Sequence, residues 1–410
     1  MAGSRAPLRL KAVTLALARW GVRRRRPDAP RRILVLHHLL LGDTLMVTAL
    51  LAKLRERHPA ATIVMTVASA IAPIYAGRPY GVDVVPLDPR DAASARPLFD
   101  APQFDVAYLP ADNRWSWLAR ALGIRWIVGI AGDRPAHKNW PVDELVPYSA
   151  VPTAFGDTAA ELAAGPAPVP FEPAHWPAPP MADAPVPRGP YAVLHVGASS
   201  PLKQWEPARW RALATWLEAR GLAVVWSAGP GEAALIDAVD GAKGGVAGGV
   251  AAGGAGGIAD VADVADVAGA NHDGGGRPVA RVRFAGTLSL VELWHLLARA
   301  SLLVVPDTGV AHLGRIVGVP TVTLFGPGSA TICGPGAFFA GARCRAVTVD
   351  PFPCRDQTVQ FFREVPWVRR CERLPGPPPD RCARARCMEA IDVAAVTAAI
   401  EALGAVAPAG

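Results

Sequence analysis

The first 332 residues of this 410-residue chain contain no cysteine; all six lie between Cys333 and Cys387. They form no CxxC pair, and the chain shows no export signal, so reduced cytosolic thiols are the expected state. The segment from Cys354 to Cys387 has the cysteines for a zinc site, but their uneven spacing favours structural thiols. Charge is scarce as well. Asp, Glu, Lys and Arg make up 19% of the chain against 51% hydrophobic residues, the profile of a globular protein with a large core. GxxxxGK[ST], HExxH and GxSxG are all missing, which removes the P-loop, zinc-protease and serine-hydrolase classes. No Asp-x-Asp pair is present either, so any sugar-nucleotide site would lack the usual carboxylates for a metal. Metal ligands are therefore not expected.

What positive charge there is sits at one end. Residues 1–32 hold ten Lys/Arg and one acid, so the net charge of +7 belongs to this arm and the body is close to neutral. Nucleic acid, which wants a basic face on the folded domain, is not an expected partner. Within the arm (residues 1–30), Leu8, Leu10, Val13, Leu15, Leu17, Trp20 and Val22 alternate with basic residues. The run is too short to span a bilayer and has no cleavage site. Two readings fit: an amphipathic helix placing residues 1–26 on an anionic membrane surface, or a disordered basic tail.

Beyond the arm, strands and helices alternate. Ile33–Leu36, Thr62–Val67, Val82–Leu87, 105–109 and Trp126–Gly129 read as buried strands, with helices over 44–57 and 115–122. Residues 164–190 are dense in proline and read as a linker. A second series follows: strands at Tyr191–His195, Ala223–Ser227, 281–284, 302–305 and Thr321–Phe325, with helices over 207–220, after Ser289, and over 393–403. The pattern predicts an α/β fold of two parallel-sheet domains, 31–163 and 191–390, with a natural binding cleft between them. Residues 241–276, rich in Gly, Ala and Val, read as a low-complexity surface insertion. Residues 344–387 form a cysteine-bearing tail segment, and 391–410 a terminal helix and tail.

Chemistry concentrates in loops that follow strands, the edge where open α/β sheets bind ligands. After the first strand come Gly42 and Asp43, where Gly42 permits close approach and Asp43 is either a helix cap or a general base. After Tyr191–His195, the small residues Ser199 and Ser200 lead to Lys203, a pattern suited to a diphosphate. After 302–305, Asp307, Thr308 and Gly309 open a helix bearing His312 one turn on. Its free N–H groups and positive dipole favour an anion, although Asp and Thr also cap helices. Ser289 and Glu292 form a capping-box pair.

Together these loops resemble the ADP-heptose:lipopolysaccharide heptosyltransferases, glycosyltransferase family 9. The matching pieces are Arg32-Ile-Leu-Val-Leu with Leu41-Gly42-Asp43; His195-Val-Gly-Ala-Ser-Ser-Pro-Leu-Lys203-Gln-Trp205; 285–293; and Val304-Val-Pro-Asp307-Thr308-Gly309-Val-Ala-His312, closing with Gly326-Pro327. They fall in family order. Two positions depart from the family pattern: His37-His38 with three leucines before Gly-Asp, and Val196 where a proline is usual.

The resemblance implies two Rossmann-like domains facing across a cleft (GT-B) and an inverting, metal-independent sugar transfer. No cofactor is implied, the cosubstrate being a nucleotide sugar, ADP-heptose. Asp43 would be the base. Ser199, Ser200, Lys203, Glu292, Asp307, Thr308, Gly309 and His312 would lie on the donor side. Gly42, Arg134 and Lys138 would meet a lipopolysaccharide-type acceptor. With no export signal and a basic arm, the expected location is cytoplasmic, peripheral at the inner face of the cytoplasmic membrane where the arm lies on the bilayer. The competing classes are a Rossmann oxidoreductase, which lacks the GxGxxG fingerprint with its following acid, and a non-catalytic membrane-surface scaffold.

Overall fold

The structure is a computed structural model, and it describes residues 4–21, 24–181, 186–240 and 281–406. The low-complexity insertion predicted at 241–276 lies outside the described residues, as does Val22 of the arm. The chain divides into two compact units. One comprises residues 1–180, 328–342 and 353–372; the other 181–327, 343–352 and 373–410. The first break falls inside the proline-rich segment, but the chain then returns twice to the first unit. These returns differ from the sequence reading of 191–390 as one domain. Apolar periodicity cannot register them, because 328–342 and 353–372 contain almost no regular structure.

In the first unit, helix α1 (Ala6–Ala18) precedes strand β1 (Arg32–Val35), and α2 (Leu41–Met46) and α3 (Thr48–Arg57) follow it. Then come β2 (Thr62–Val67), β3 (Val82–Pro86), α4 (Arg96–Asp100), β4 (Val106–Leu109), α5 (Ser116–Ala121), β5 (Trp126–Ile130), β6 (Glu144–Val146) and α6 (Phe155–Ala160). The six strands form one parallel sheet, ordered β3-β2-β1-β4-β5-β6. Burial on both faces explains why β1, β2, β4 and β5 read as continuous apolar runs rather than alternating ones. The single helix predicted over 44–57 is two helices meeting at Val47, and the first begins at Leu41, so Asp43 lies inside its first turn.

The arm is folded against this unit. Leu8, Ala12 and Ala16, spaced one turn apart, are buried and belong to the same apolar cluster as Leu118, Ala119 and Ala121 of α5. Trp20 stacks on Trp117 at 5.9 Å, and Arg24 reaches Asp143 at 3.4 Å. Of the two sequence readings a helix is what forms, and one of its apolar stripes is structural. The opposite stripe, Leu10, Val13, Leu17 and Trp20, remains exposed.

The second unit repeats the plan. Strands β7 (Tyr191–His195), β8 (Ala223–Ala228), β9 (Val282–Ala285), β10 (Leu302–Pro306), β11 (Thr321–Phe325) and β12 (Cys344–Thr348) alternate with α7 (Pro207–Glu218), α8 (Ala233–Asp240), α9 (Leu290–Ala298) and α10 (Gly309–Val317). The sheet is parallel, ordered β12-β11-β10-β7-β8-β9. A hairpin, β13 (Val359–Gln360) with β14 (Arg363–Glu364), belongs to the first unit; α11 (Arg386–Glu389) and α12 (Val393–Ala402) complete the second. No helix among the described residues is long and apolar enough to cross a membrane. In each sheet the strand order reverses at its centre, between β1 and β4 and between β7 and β10. The crevice outside the carboxyl ends of those strands is where such folds take ligands.

Candidate active site

At the switch point of the second sheet, the loop after β7 meets the loop after β10. Lys203 Nζ lies 2.9 Å from Asp307 Oδ2 and 2.8 Å from the Asp307 carbonyl. Asp307 is buried while Lys203 keeps part of its side chain in solvent, so the pair offers a positioned cation rather than a sealed ion pair. Thr308 is the residue before α10, yet its hydroxyl makes no capping bond and is buried without a partner. An N-terminal threonine that does not cap leaves a donor and the positive helix end available to an anion. The sequence reading of Asp307-Thr308-Gly309 as ordinary caps is thereby set aside, since neither side chain caps α10.

His312 is buried one turn into α10, and its Nδ1 lies 3.3 Å from Arg315 Nη1. Burial, with the Arg315 and Lys203 charges beside it, pushes its pKa well below the ordinary value, so the ring is neutral. His195, at the end of β7, is likewise buried and pushed down to about 4, with Nδ1 3.1 Å from Ser227 Oγ. Ser200 accepts from the Leu202 N–H at 3.3 Å and so shapes the turn that presents Lys203; Ser199 is exposed. Glu292 closes the capping box of α9, accepting the Ser289 N–H at 2.6 Å. The structure gives that carboxylate a structural duty at the helix end.

One residue of this edge was not among the sequence candidates. Glu232 accepts the Ala198 N–H at 3.0 Å and the Gly229 N–H at 2.7 Å, tying the loops after β7 and β8 together. Gly197 packs against this carboxylate closely enough that any Cβ would collide with it. Gly286, at φ +72°, lies so near the Gly229 carbonyl that only glycine fits. The signal in the sequence is the glycine-bearing loop 227–232 after a strand, which resembles a nucleotide loop only weakly and is not GxGxxG.

In the first unit, Asp43 stands in the first turn of α2 and is partly exposed, and Gly42 beside it is buried. His37, at the end of β1, is buried with neither ring nitrogen hydrogen-bonded, and burial pushes its pKa down to about 3. The next residue, His38, lines a cavity of about 580 Å³. Its walls include Arg114 and Trp115 from the loop after β4, Lys138 and Trp140 from the loop after β5, and Arg5 and Arg9 of α1. Lys138 is tied to Asp133 at 3.1 Å and Arg114 to Asp112 at 2.6 Å. Of the predicted acceptor-side residues, Lys138 thus stands in a cavity wall. Arg134 does not line it, and its backbone N–H bonds the Phe362 carbonyl at 3.1 Å.

Residues 263–358 match the family model described as glycosyltransferase family 9 (heptosyltransferase). The matched segment contains Glu292, Asp307, Thr308, Gly309 and His312. Solved structures carry the same fold. Heptosyltransferase WaaC of E. coli with ADP is 16% identical, with 91% of this chain and 99% of that one covered and a TM-score of 0.60. ADP-heptose lps heptosyltransferase II of E. coli is 15% identical over 91% and 98%, at 0.59. A glycosyl transferase family 9 protein of Veillonella parvula is 16% identical over 77% and 85%, at 0.57. No curated protein matches the chain. The matched segment begins among undescribed residues and ends before the β13–β14 hairpin, so that hairpin lies outside the matched part of the chain.

Proposed function

We propose that this chain is a glycosyltransferase that moves a heptose-like sugar from an ADP-linked donor to a lipopolysaccharide-type glycan, with inversion and without a metal. The observation that carries the reading is Lys203, fixed by Asp307 beside an uncapped helix N-terminus with an unpartnered Thr308 hydroxyl. That is a site for a diphosphate: a point charge, a free hydroxyl and helix N–H groups together. A dinucleotide dehydrogenase would instead put a GxGxxG turn here, and this chain has none.

In the proposed transfer, Asp43 takes the proton of an acceptor hydroxyl as that oxygen attacks the anomeric carbon. The bond from that carbon to the diphosphate oxygen breaks, and its electron pair leaves on the ADP. Lys203 and the amino end of α10 stabilise the charge that grows there. Neutral His312 supplies a hydrogen-bonding group for the donor without repelling Lys203. The 580 Å³ cavity, with Arg5, Arg9, Arg114 and Lys138 around apolar walls, suits an anionic acceptor. The exposed apolar stripe of α1, in an arm with ten Lys/Arg over residues 1–32, supports peripheral contact of residues 1–26 with an anionic bilayer, hence a location at the inner face of the cytoplasmic membrane.

The assay is transfer of labelled heptose from ADP-heptose to lipopolysaccharide truncated before its first heptose. Asp43→Asn should lower kcat by about a hundredfold or more, the usual contribution of a general base, with ADP affinity unchanged. Equal loss of turnover and ADP binding would remove Asp43 from the role of base.

A further inference from the structure

The β13–β14 hairpin pairs Val359 with Glu364 and Gln360 with Arg363, so Phe361 and Phe362 alone make the turn. Their φ angles are +45° and +63°. Left-handed backbone at both central positions is the turn that Asn-Gly normally supplies, and bulky side chains rarely adopt it. Strain of this kind persists where the surroundings over-determine it, and such places cluster at functional sites.

The surroundings here do over-determine it. Arg363 is buried and donates Nε to the Ala131 carbonyl at 3.0 Å, Nη1 to Ala111 at 2.7 Å and Nη2 to Ile130 at 3.3 Å. Those carbonyls lie just beyond β4 and at the end of β5, so the arginine bolts the hairpin to the edge of the sheet. The Phe361 ring packs on Phe155 at 4.7 Å. The Phe362 ring is left half in solvent, with Lys138 Nζ 4.1 Å and Arg114 Cζ 5.2 Å from its centre. Both cations line the 580 Å³ cavity, with Arg5 and Arg9.

We propose that the Phe361–Phe362 turn is a positioning element of the acceptor side: the Phe362 ring seats Arg114 and Lys138 together, and that pair reads an anionic group on the sugar acceptor. The inference rests on the acceptor assignment above and adds a determinant from outside the matched family segment. Each cation already has an acid that anchors one side of its head: Asp112 accepts from Arg114 Nε at 2.6 Å, and Asp133 and the Arg134 carbonyl accept from Lys138 Nζ at 3.1 and 2.6 Å. The ring adds a shared contact for the two heads without a further counter-charge, because cation–π attraction uses none.

The test compares Phe362→Gly, which removes the ring and relaxes the turn, with Phe362→Trp, which keeps an aromatic face. The probe is deacylated lipopolysaccharide truncated before its first heptose, with ADP-heptose as donor. For Phe362→Gly the acceptor KM should rise about three- to tenfold, as expected for a lost cation–π pair. Donor KM should stay constant and the melting temperature should not fall. Phe362→Trp should retain the wild-type acceptor KM. An unchanged acceptor KM in Phe362→Gly overturns the inference and leaves the proposed function standing. A loss in kcat and donor KM that follows a lowered melting temperature shows a merely structural turn and also overturns it. Wild-type enzyme that neither binds nor modifies the probe overturns the acceptor assignment, and this inference with it.

Discussion

Lys203 and Asp307 are 104 residues apart in the chain and 2.9 Å apart in space. Each was legible alone as a polar residue in a loop after a strand, but their pairing was not, because it depends on β7 and β10 being sheet neighbours. Thr308 sharpens the point. From sequence it reads as an N-cap, and the structure shows its hydroxyl uncapping and unpartnered. Thr308→Val should therefore leave the stability of the ligand-free protein unchanged or slightly raised, since a buried hydroxyl without a partner is itself a cost. ADP binding should weaken by about 0.5–1.5 kcal/mol, one ordinary hydrogen bond. Calorimetric titration with a melting curve checks both; lower stability with unchanged ADP affinity would make the hydroxyl structural.

The buried histidines give a second prediction at this scale. His37, His195 and His312 all have folded pKa values below their unfolded value, because burial disfavours the imidazolium. The unfolded chain thus binds more protons, and the stability they contribute is present above about pH 6.5 and lost as pH falls toward the folded values. Each adds a slope of up to about 1.4 kcal/mol per pH unit within that window. Denaturant midpoints measured from neutral to mildly acid pH should fall, and His195→Asn should flatten the dependence by about one proton. A midpoint independent of pH would mean these rings are not buried in the folded protein.

Among elements, α1 carries two apolar stripes. Leu8, Ala12 and Ala16 face α5, while Leu10 and Leu17 remain 71% and 57% exposed. The sequence showed apolar residues among basic ones but could not say which stripe was core, because both repeat at helical spacing. Separate substitutions distinguish them. Leu8→Ala should cost about 2–3 kcal/mol as a cavity in a packed contact. Leu10→Ser with Leu17→Ser should leave stability nearly unchanged and reduce sedimentation with anionic vesicles. Vesicle binding that survives the double change would rule out this face as the membrane contact. The strands were the easiest elements to read, with Thr62–Val67, Tyr191–His195 and Thr321–Phe325 matching residue for residue. The β13–β14 hairpin was invisible, for its turn residues contradict every turn preference and its anchor, Arg363, is a buried charge.

For the molecule as a whole, two parallel sheets were legible, since alternating strands and helices leave few topologies; their strand orders, which set the switch points, were not. The two returns of the chain to the first unit, at 328–342 and 353–372, were not, because irregular segments have no period to read. The family signature was legible for the opposite reason: four short motifs, each weak, fall in loops that the fold brings to ligand-binding edges.

The central claim is that the crevice of the second unit holds an ADP-linked sugar. Its most direct test is a calorimetric titration of the full chain with ADP, UDP, GDP, CMP and NADH, with Lys203→Ala beside the wild type. The account predicts selective ADP binding, weakened about ten- to a hundredfold in the variant by loss of a charge-assisted contact. A preference for UDP or GDP, a response to NADH alone, or ADP affinity indifferent to Lys203 would contradict it.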